Sequence, residues 1–442
     1  MKLFKSLLLG SAAGLVAISG ASAADLGVKK PAPVEYVKVC SAHGAGFFYV
    51  PGSDVCMQIG GRVRAEYLYA SPYTRGDDTS SFRSNGRIQL DVRQTTSYGL
   101  LRAFVRYDVY ANGGRYVAGS ATNLGGNGYA GAQNTNAFLD KAFIQFYTGT
   151  SGFFTAGRSA SFFDFYANND NYAGMVGSDR GNTNLFAYTA TFGGGFTATL
   201  SAEDALDNRR RGVAAATTAP TVGGVAYAGQ SLPDIVGNVR VDQAWGSFQL
   251  SGAVHQLRVS NRDLLGSYVD TGYGWALQAG LKVNLPMLAA GDTLWLQAAY
   301  GDGATDYTGV ARNIGGTNFG SLSSTVTGLD GYVDALGNMK KAKSWSVLAS
   351  FVHNFTPTIQ GAVYGGFGAL NYSGSLAAFN DFTTYNIGGR INWIPVRNFT
   401  IGTEVMYSVV DPKGTVASPT ALYATKSKYD GIQARIRFQR DF

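Results

Sequence analysis

Three observations predict an all-β chain, a 16-stranded antiparallel transmembrane β-barrel. From Gly60 onward, segments of about ten to fifteen residues alternate apolar and polar side chains at period two. The composition suits strands and turns, with 59 Gly, 26 Tyr, 26 Phe and 5 Trp in 442 residues and only 15% charged; a typical soluble domain carries roughly 25%. Connections alternate between tight turns and long polar loops, as in an up-and-down barrel of an outer membrane.

Other classes fall away on the same numbers. A hydrophobic content of 45% excludes a wholly disordered chain. A mean hydropathy of −0.03 argues against a helical membrane protein. The N-terminus predicts export: Lys2 and Lys5 precede an apolar run from Leu7 to Gly20, and Ala21-Ser-Ala23 fits a small-residue cleavage site. That run is shorter than the ~20 residues of a spanning helix. Removing a 1–23 signal peptide takes the formal charge from +7 to +5, because two lysines leave with it. The expected organisation is then a signal peptide at 1–23, an N-terminal segment at 24–59 and a barrel at 60–442.

Sixteen strand cores follow in order, from 61–70, 84–96 and 100–111 through 153–163 to 398–410 and 429–442. Arg87-Ile-Gln-Leu-Asp-Val-Arg93 sets Ile88, Leu90 and Val92 against Arg87, Gln89, Asp91 and Arg93. A helix would scatter these charges around its axis. The long connections include 112–135, 164–183, 206–233 and 305–342, and the even strand count puts both ends on the short-turn side. A soluble β-sandwich or propeller is the competing fold. Arg and Asp on the polar faces of successive strands favour a wet interior, and aromatics near strand ends favour an interfacial girdle. A closed barrel also leaves no unpaired edge in lipid.

The strongest constellation is basic. Arg62, Arg64, Arg87, Arg93, Arg102 and Arg106 lie opposite the apolar faces of the first three strands, so on a barrel they point into the lumen as a pore wall. Glu66, Asp91 and Asp108 share those faces, so the patch could order ions, stiffen the wall by pairing, or both. Lys282, Arg390, Glu404, Arg435 and Arg437 have the same inward parity. Charges on a lipid face would cost ~2–4 kcal/mol each. The loop after the fifth strand carries Asp164, Asp170 and Asp179. Folded inward, it would oppose the arginines with an acidic rim; otherwise it is a surface loop.

Cys40 and Cys56 are the only cysteines. In an exported chain they read as a disulfide worth about 3 kcal/mol on the chain-entropy model. Free thiols are the alternative, and a metal site with His43 a weaker one. Catalytic signals are sparse. The histidines are His43, His255 and His353, with no His-Glu-x-x-His or Gly-x-Ser-x-Gly motif. Gly126-Asn-Gly-Tyr-Ala-Gly131 has no helix behind it and reads as a loop. No enzyme activity and no cofactor are expected, and export points away from nucleic acid.

Several motifs resemble the alphaproteobacterial porins, trimeric outer-membrane diffusion channels. They are Glu35-Tyr-Val-Lys-Val-Cys40, Gly44-Ala-Gly-Phe-Phe-Tyr-Val-Pro-Gly52 to Cys56, and Ile59-Gly-Gly-Arg-Val-Arg64. Leu232-Pro-Asp-Ile-Val-Gly237 before Trp245-Gly-Ser247, and the terminal Arg437-Phe-Gln-Arg-Asp-Phe442, continue the match. One departure is Arg440, where an apolar residue or Tyr is commoner. The resemblance implies sixteen strands, a homotrimer in outer-membrane lipid, and a third long loop folded into the pore as a constriction loop. It also implies recognition of the C-terminal strand ending at Phe442 by the barrel-assembly machinery. The function it implies is passive diffusion of small hydrophilic solutes and ions across a Gram-negative outer membrane. A solute-specific channel for a sugar or an anionic nutrient would instead show saturating flux. An adhesin or receptor barrel would act through its long loops, notably 305–342.

Overall fold

The computed structural model describes residues 38–72, 78–114, 134–149, 151–166, 171–179, 181–215, 227–260, 268–310, 328–334, 337–372, 381–413 and 428–442. The expected signal at 1–23 and Asp170 lie outside them. Sixteen strands close a barrel, each antiparallel to its sequence neighbours. They are β1 (Cys56–Ala70), β2 (Ser80–Thr96), β3 (Gly99–Asn112), β4 (Asn134–Tyr147), β5 (Gly152–Ala160), β6 (Asn182–Gly193), β7 (Phe196–Glu203) and β8 (Asp234–Gln243). The circuit continues with β9 (Gly246–Leu257), β10 (Gly272–Asn284), β11 (Thr293–Asp302), β12 (Met339–Thr356), β13 (Ile359–Tyr372), β14 (Phe382–Val396), β15 (Phe399–Pro412) and β16 (Tyr429–Asp441).

Closure is made by β16 on β1, in register from Gln433↔Ala70 to Asp441↔Arg62. Gly61 and the terminal Phe442 then exchange backbone hydrogen bonds of 2.9 and 3.1 Å. Every predicted core falls on one of these strands. The first strand begins at Cys56, so the cysteine itself sits in the wall. The fifth stops at Ala160, before Phe162 and Phe163, although those apolar residues read on as strand. There Glu203 accepts from Ser161 Oγ at 2.7 Å and from Phe162 N at 2.9 Å, which turns the chain into the lumen.

The outer wall is apolar because it faces hydrocarbon: Val63, Phe82, Ile88, Leu200 and Ile387 are all exposed on the isolated chain. Outward Trp275 and Tyr300 form one tilted ring pair, while Trp345, Phe367, Tyr385 and Tyr407 continue as a chain of ring contacts. Such a band belongs at the membrane–water boundary, where amphipathic rings sit at headgroup level. The other end has the short turns. One of them needs Asn398 at φ 64°, a left-handed conformation that Asn tolerates. Following the outer-membrane pattern, this end is periplasmic and the long-loop end extracellular.

Two smaller elements lie at the ends. Cys40 and Cys56 form a disulfide with Cα atoms 6.0 Å apart, which removes both thiolates from any metal site. The bridged segment folds against the inner face of β1 and β2: Gln58 donates to Ala45 O at 3.2 Å, and the Arg93 guanidinium lies 4.7 Å from the Phe47 ring. At the opposite end, Val213–Ala215 and Gly331–Val333 pair in parallel, joining the connections that follow β7 and β11.

Candidate functional site: the arginine-lined lumen

The inward faces of β16 and β1–β4 carry the basic wall. Arg87 binds Asp108 through two hydrogen bonds of 2.9 and 2.7 Å. Arg93 and Arg102 each grip Asp91 with both prongs of the guanidinium, at 2.8–3.1 Å. Arg106 donates to Gln89 at 3.1 Å and to Asp140 at 3.4 Å. Arg62 binds Asp441 at 2.6 Å. Glu66 is shared by Arg83 and Arg437. Arg64 differs from these: its Nε donates to the carboxamide of Gln439 at 3.0 Å. The wall is thus extensively paired as well as charged, and planar two-pronged pairs of this kind hold guanidiniums in fixed orientation.

Asp140 was not singled out by sequence reasoning. The register between β3 and β4 slips between Arg106 and Tyr107, leaving Asp140 as the extra residue of a bulge. A bulge re-aims a side chain, and here it sends a carboxylate inward beside Arg87 and Arg106. Phe104 is a second surprise. It sits on the polar face, stacked on Phe143 at 5.3 Å, with Arg102 and Arg106 over its ring at 5.3 and 5.4 Å. Strict alternation does not foresee an apolar residue there, but two flanking cations explain it.

The third long connection, L3, described at 161–166, 171–179 and 181, enters the barrel, and these residues lie along the wall from β7 to β16. Nearly every strand on its route contributes an inward polar group to its backbone. Asn238 donates to Phe162 O at 2.6 Å, and Gln278 to Phe163 O at 2.7 Å. Gln297 accepts from Tyr166 N and donates to Ser178 O, both at 3.0 Å. Glu404 accepts from the backbone N–H groups of Tyr172 and Ala173, and Arg435 donates to Tyr172 O at 2.5 Å. A loop buried this deeply needs its peptide groups matched, and these side chains match them. Gly402 supplies clearance, since a Cβ there would strike the Tyr172 hydroxyl.

L3 presents Tyr172 to the arginines. Its ring centroid lies 3.6 Å from the Arg437 guanidinium carbon and 5.4 Å from that of Arg390, and its hydroxyl donates to Asn392 at 2.5 Å. Between Tyr172 and the wall lies a cavity of about 460 Å³, lined by Arg62, Arg64, Arg83, Arg390 and Arg437 with carboxamides of Asn392 and Gln439. Asp164 sits elsewhere, accepting from Arg209 at 3.0 Å and from Ser178 at 2.5 Å. None of the six wall arginines bonds to an acid of L3 among the described residues. Arg209 is fully buried; burial alone would lower its pKa, but Asp164, Tyr307, Asp306 and Glu203 outweigh it and hold the guanidinium above its ordinary value.

A closed barrel with an apolar exterior, a charged lumen and an inward loop is a transmembrane channel. The chain matches the family model described as "Porin subfamily" over residues 25–433 and belongs to that family. It is an outer-membrane porin of the Gram-negative type. Porin Omp2b of Brucella melitensis biotype 1 is 32% identical over 313 residues, covering 68% of this chain and 75% of that protein. Among solved structures, the outer membrane channel DcaP of Acinetobacter baumannii superposes with a TM-score of 0.58 at 14% identity, covering 89% of this chain and 99% of that one. OmpT of Vibrio cholerae, in a trimer form, gives a TM-score of 0.51 at 8% identity, covering 88% and 100%. At these identities the two structures speak for the fold alone.

Proposed function

We propose that the cavity between Tyr172 and the arginines is the narrow part of a passive, water-filled path for small hydrophilic solutes, and that it favours anions. The observation that carries this reading is the lining itself, in which five guanidiniums and no carboxylate face the space among the described residues. A narrow site in a low-dielectric wall magnifies the sign of its charge. The six arginines Arg62, Arg64, Arg87, Arg93, Arg102 and Arg106 then divide in role. Arg62 and Arg64 face the path, while Arg87, Arg93, Arg102 and Arg106 stiffen the wall through Asp91, Asp108 and Asp140 and add to its positive field. The acid Asp164 acts in shaping L3 through Arg209 and Ser178.

The same reading includes export by the 1–23 signal, insertion through the C-terminal strand ending at Phe442, and assembly as a homotrimer. The trimer form of OmpT supports the last of these. The test is a planar-bilayer recording of the purified protein. Stepwise conductance is expected, and under a potassium chloride gradient the zero-current potential should take the sign set by chloride. A silent bilayer, or the sign set by potassium, would contradict the proposal.

A further inference from the structure

We infer that the arginine-lined cavity is a binding site for compact dianions bearing oxyanion groups, such as dicarboxylates or phosphates; this rests on reading the cavity as part of the conducting path. Its five arginines are spread over an arc from β14 through β16 and β1 to β2. That arc covers four strand spacings, roughly 19 Å, so a single small halide cannot meet its two ends. A dianion, whether two carboxylates on a short spacer or one phosphate with several charged oxygens, can engage more than one guanidinium at once.

Positive charge there exceeds negative. The nearby carboxylates are Glu66, Asp441 and Glu404; the first two are held by Arg83, Arg437 and Arg62, and the third by the L3 backbone. Arg64 bonds only to Gln439, so its two terminal nitrogens have no carboxylate among the described residues. A guanidinium presents a planar fork that matches carboxylate and phosphate. The volume, about 460 Å³, falls within the range of small-ligand sites. The Tyr172 ring and the Asn392 and Gln439 carboxamides complete a lining suited to a solute with a short organic spacer or polar body.

The experiment measures potassium chloride current through the purified full chain while succinate or inorganic phosphate is added, with butyrate as a monovalent control. A saturable fall in current is expected with at least one dianion, at concentrations about tenfold below those needed for butyrate. Succinate alone would point to dicarboxylates, phosphate alone to phosphate or its esters, and either outcome supports the site. Arg64→Gln should raise the half-effective dianion concentration, read against that variant's own current, about tenfold. Should that variant fail to assemble, Arg62→Gln supplies the same comparison. Conductance that never saturates, equal action of butyrate, or an unchanged response in these variants would overturn this inference while leaving the channel intact. A bilayer without any conductance would instead overturn the reading beneath it.

Discussion

Glu404 shows how one residue can set the shape of the lumen. Its carboxylate takes the backbone N–H groups of Tyr172 and Ala173, binding L3 to the wall 231 residues away in sequence. Glu404→Gln keeps the shape but gives up the charge-assisted character of these bonds, at a cost of about 1–3 kcal/mol. The expected result is larger current noise at unchanged barrel assembly; a quiet channel would place the loop's anchor elsewhere. Arg102→Ala with Arg106→Ala should shift permeability toward cations and widen the lumen, since Asp91 keeps Arg93 but Asp140 loses its nearer arginine. Unchanged reversal potentials would assign those arginines to stiffness alone. The inward parity of these residues was legible from alternation with their apolar neighbours. Their partners were less so, because Asp140 depends on a bulge and Tyr172 on contacts between segments hundreds of residues apart.

At the scale of elements, the strands were legible because lipid and water lie on opposite faces of each one, which writes a period of two into the sequence. The route of L3 was not. Its polar anchors, Asn238, Gln278 and Gln297, occur about once per strand and resemble any lumen-facing amide until register brings them under the same loop. The connections beyond it lock through Arg209, which pairs with Asp164 at 3.0 Å and Asp306 at 3.7 Å. Arg209→Ala removes the guanidinium shared by Asp164 and Asp306, leaving Asp306 to Arg211 and Asp164 to Ser178, and should cost about 3 kcal/mol. A lower heat-modification temperature and faster proteolysis of L3 are expected; an unshifted transition would refute the lock. At the periplasmic end, Cys40→Ser should leave the barrel intact and expose 41–55 to protease, because the bridge spans only 16 positions and ties this segment to the first residue of β1 without crossing between strands. Equal protection with and without the bridge would contradict that.

For the whole molecule, closure of β16 on β1 removes the last unpaired edge, and the exterior can then be apolar all round. Such a barrel resists detergent until heated, so a semi-native gel should show a multimer band that collapses only on boiling. A band that runs as an extended monomer before heating would contradict the fold and the assembly together. The alternation that runs through every strand has a more direct probe in β2, where Ile88 is 62% exposed on the outer wall while Gln89 faces inward and meets Arg106. The chain has two cysteines, both held in the disulfide, so an added thiol is unique. In membranes, a charged thiol reagent should modify Gln89→Cys and leave Ile88→Cys untouched; equal labelling of the two, or the reverse preference, would contradict a lumen filled with water inside a wall facing lipid.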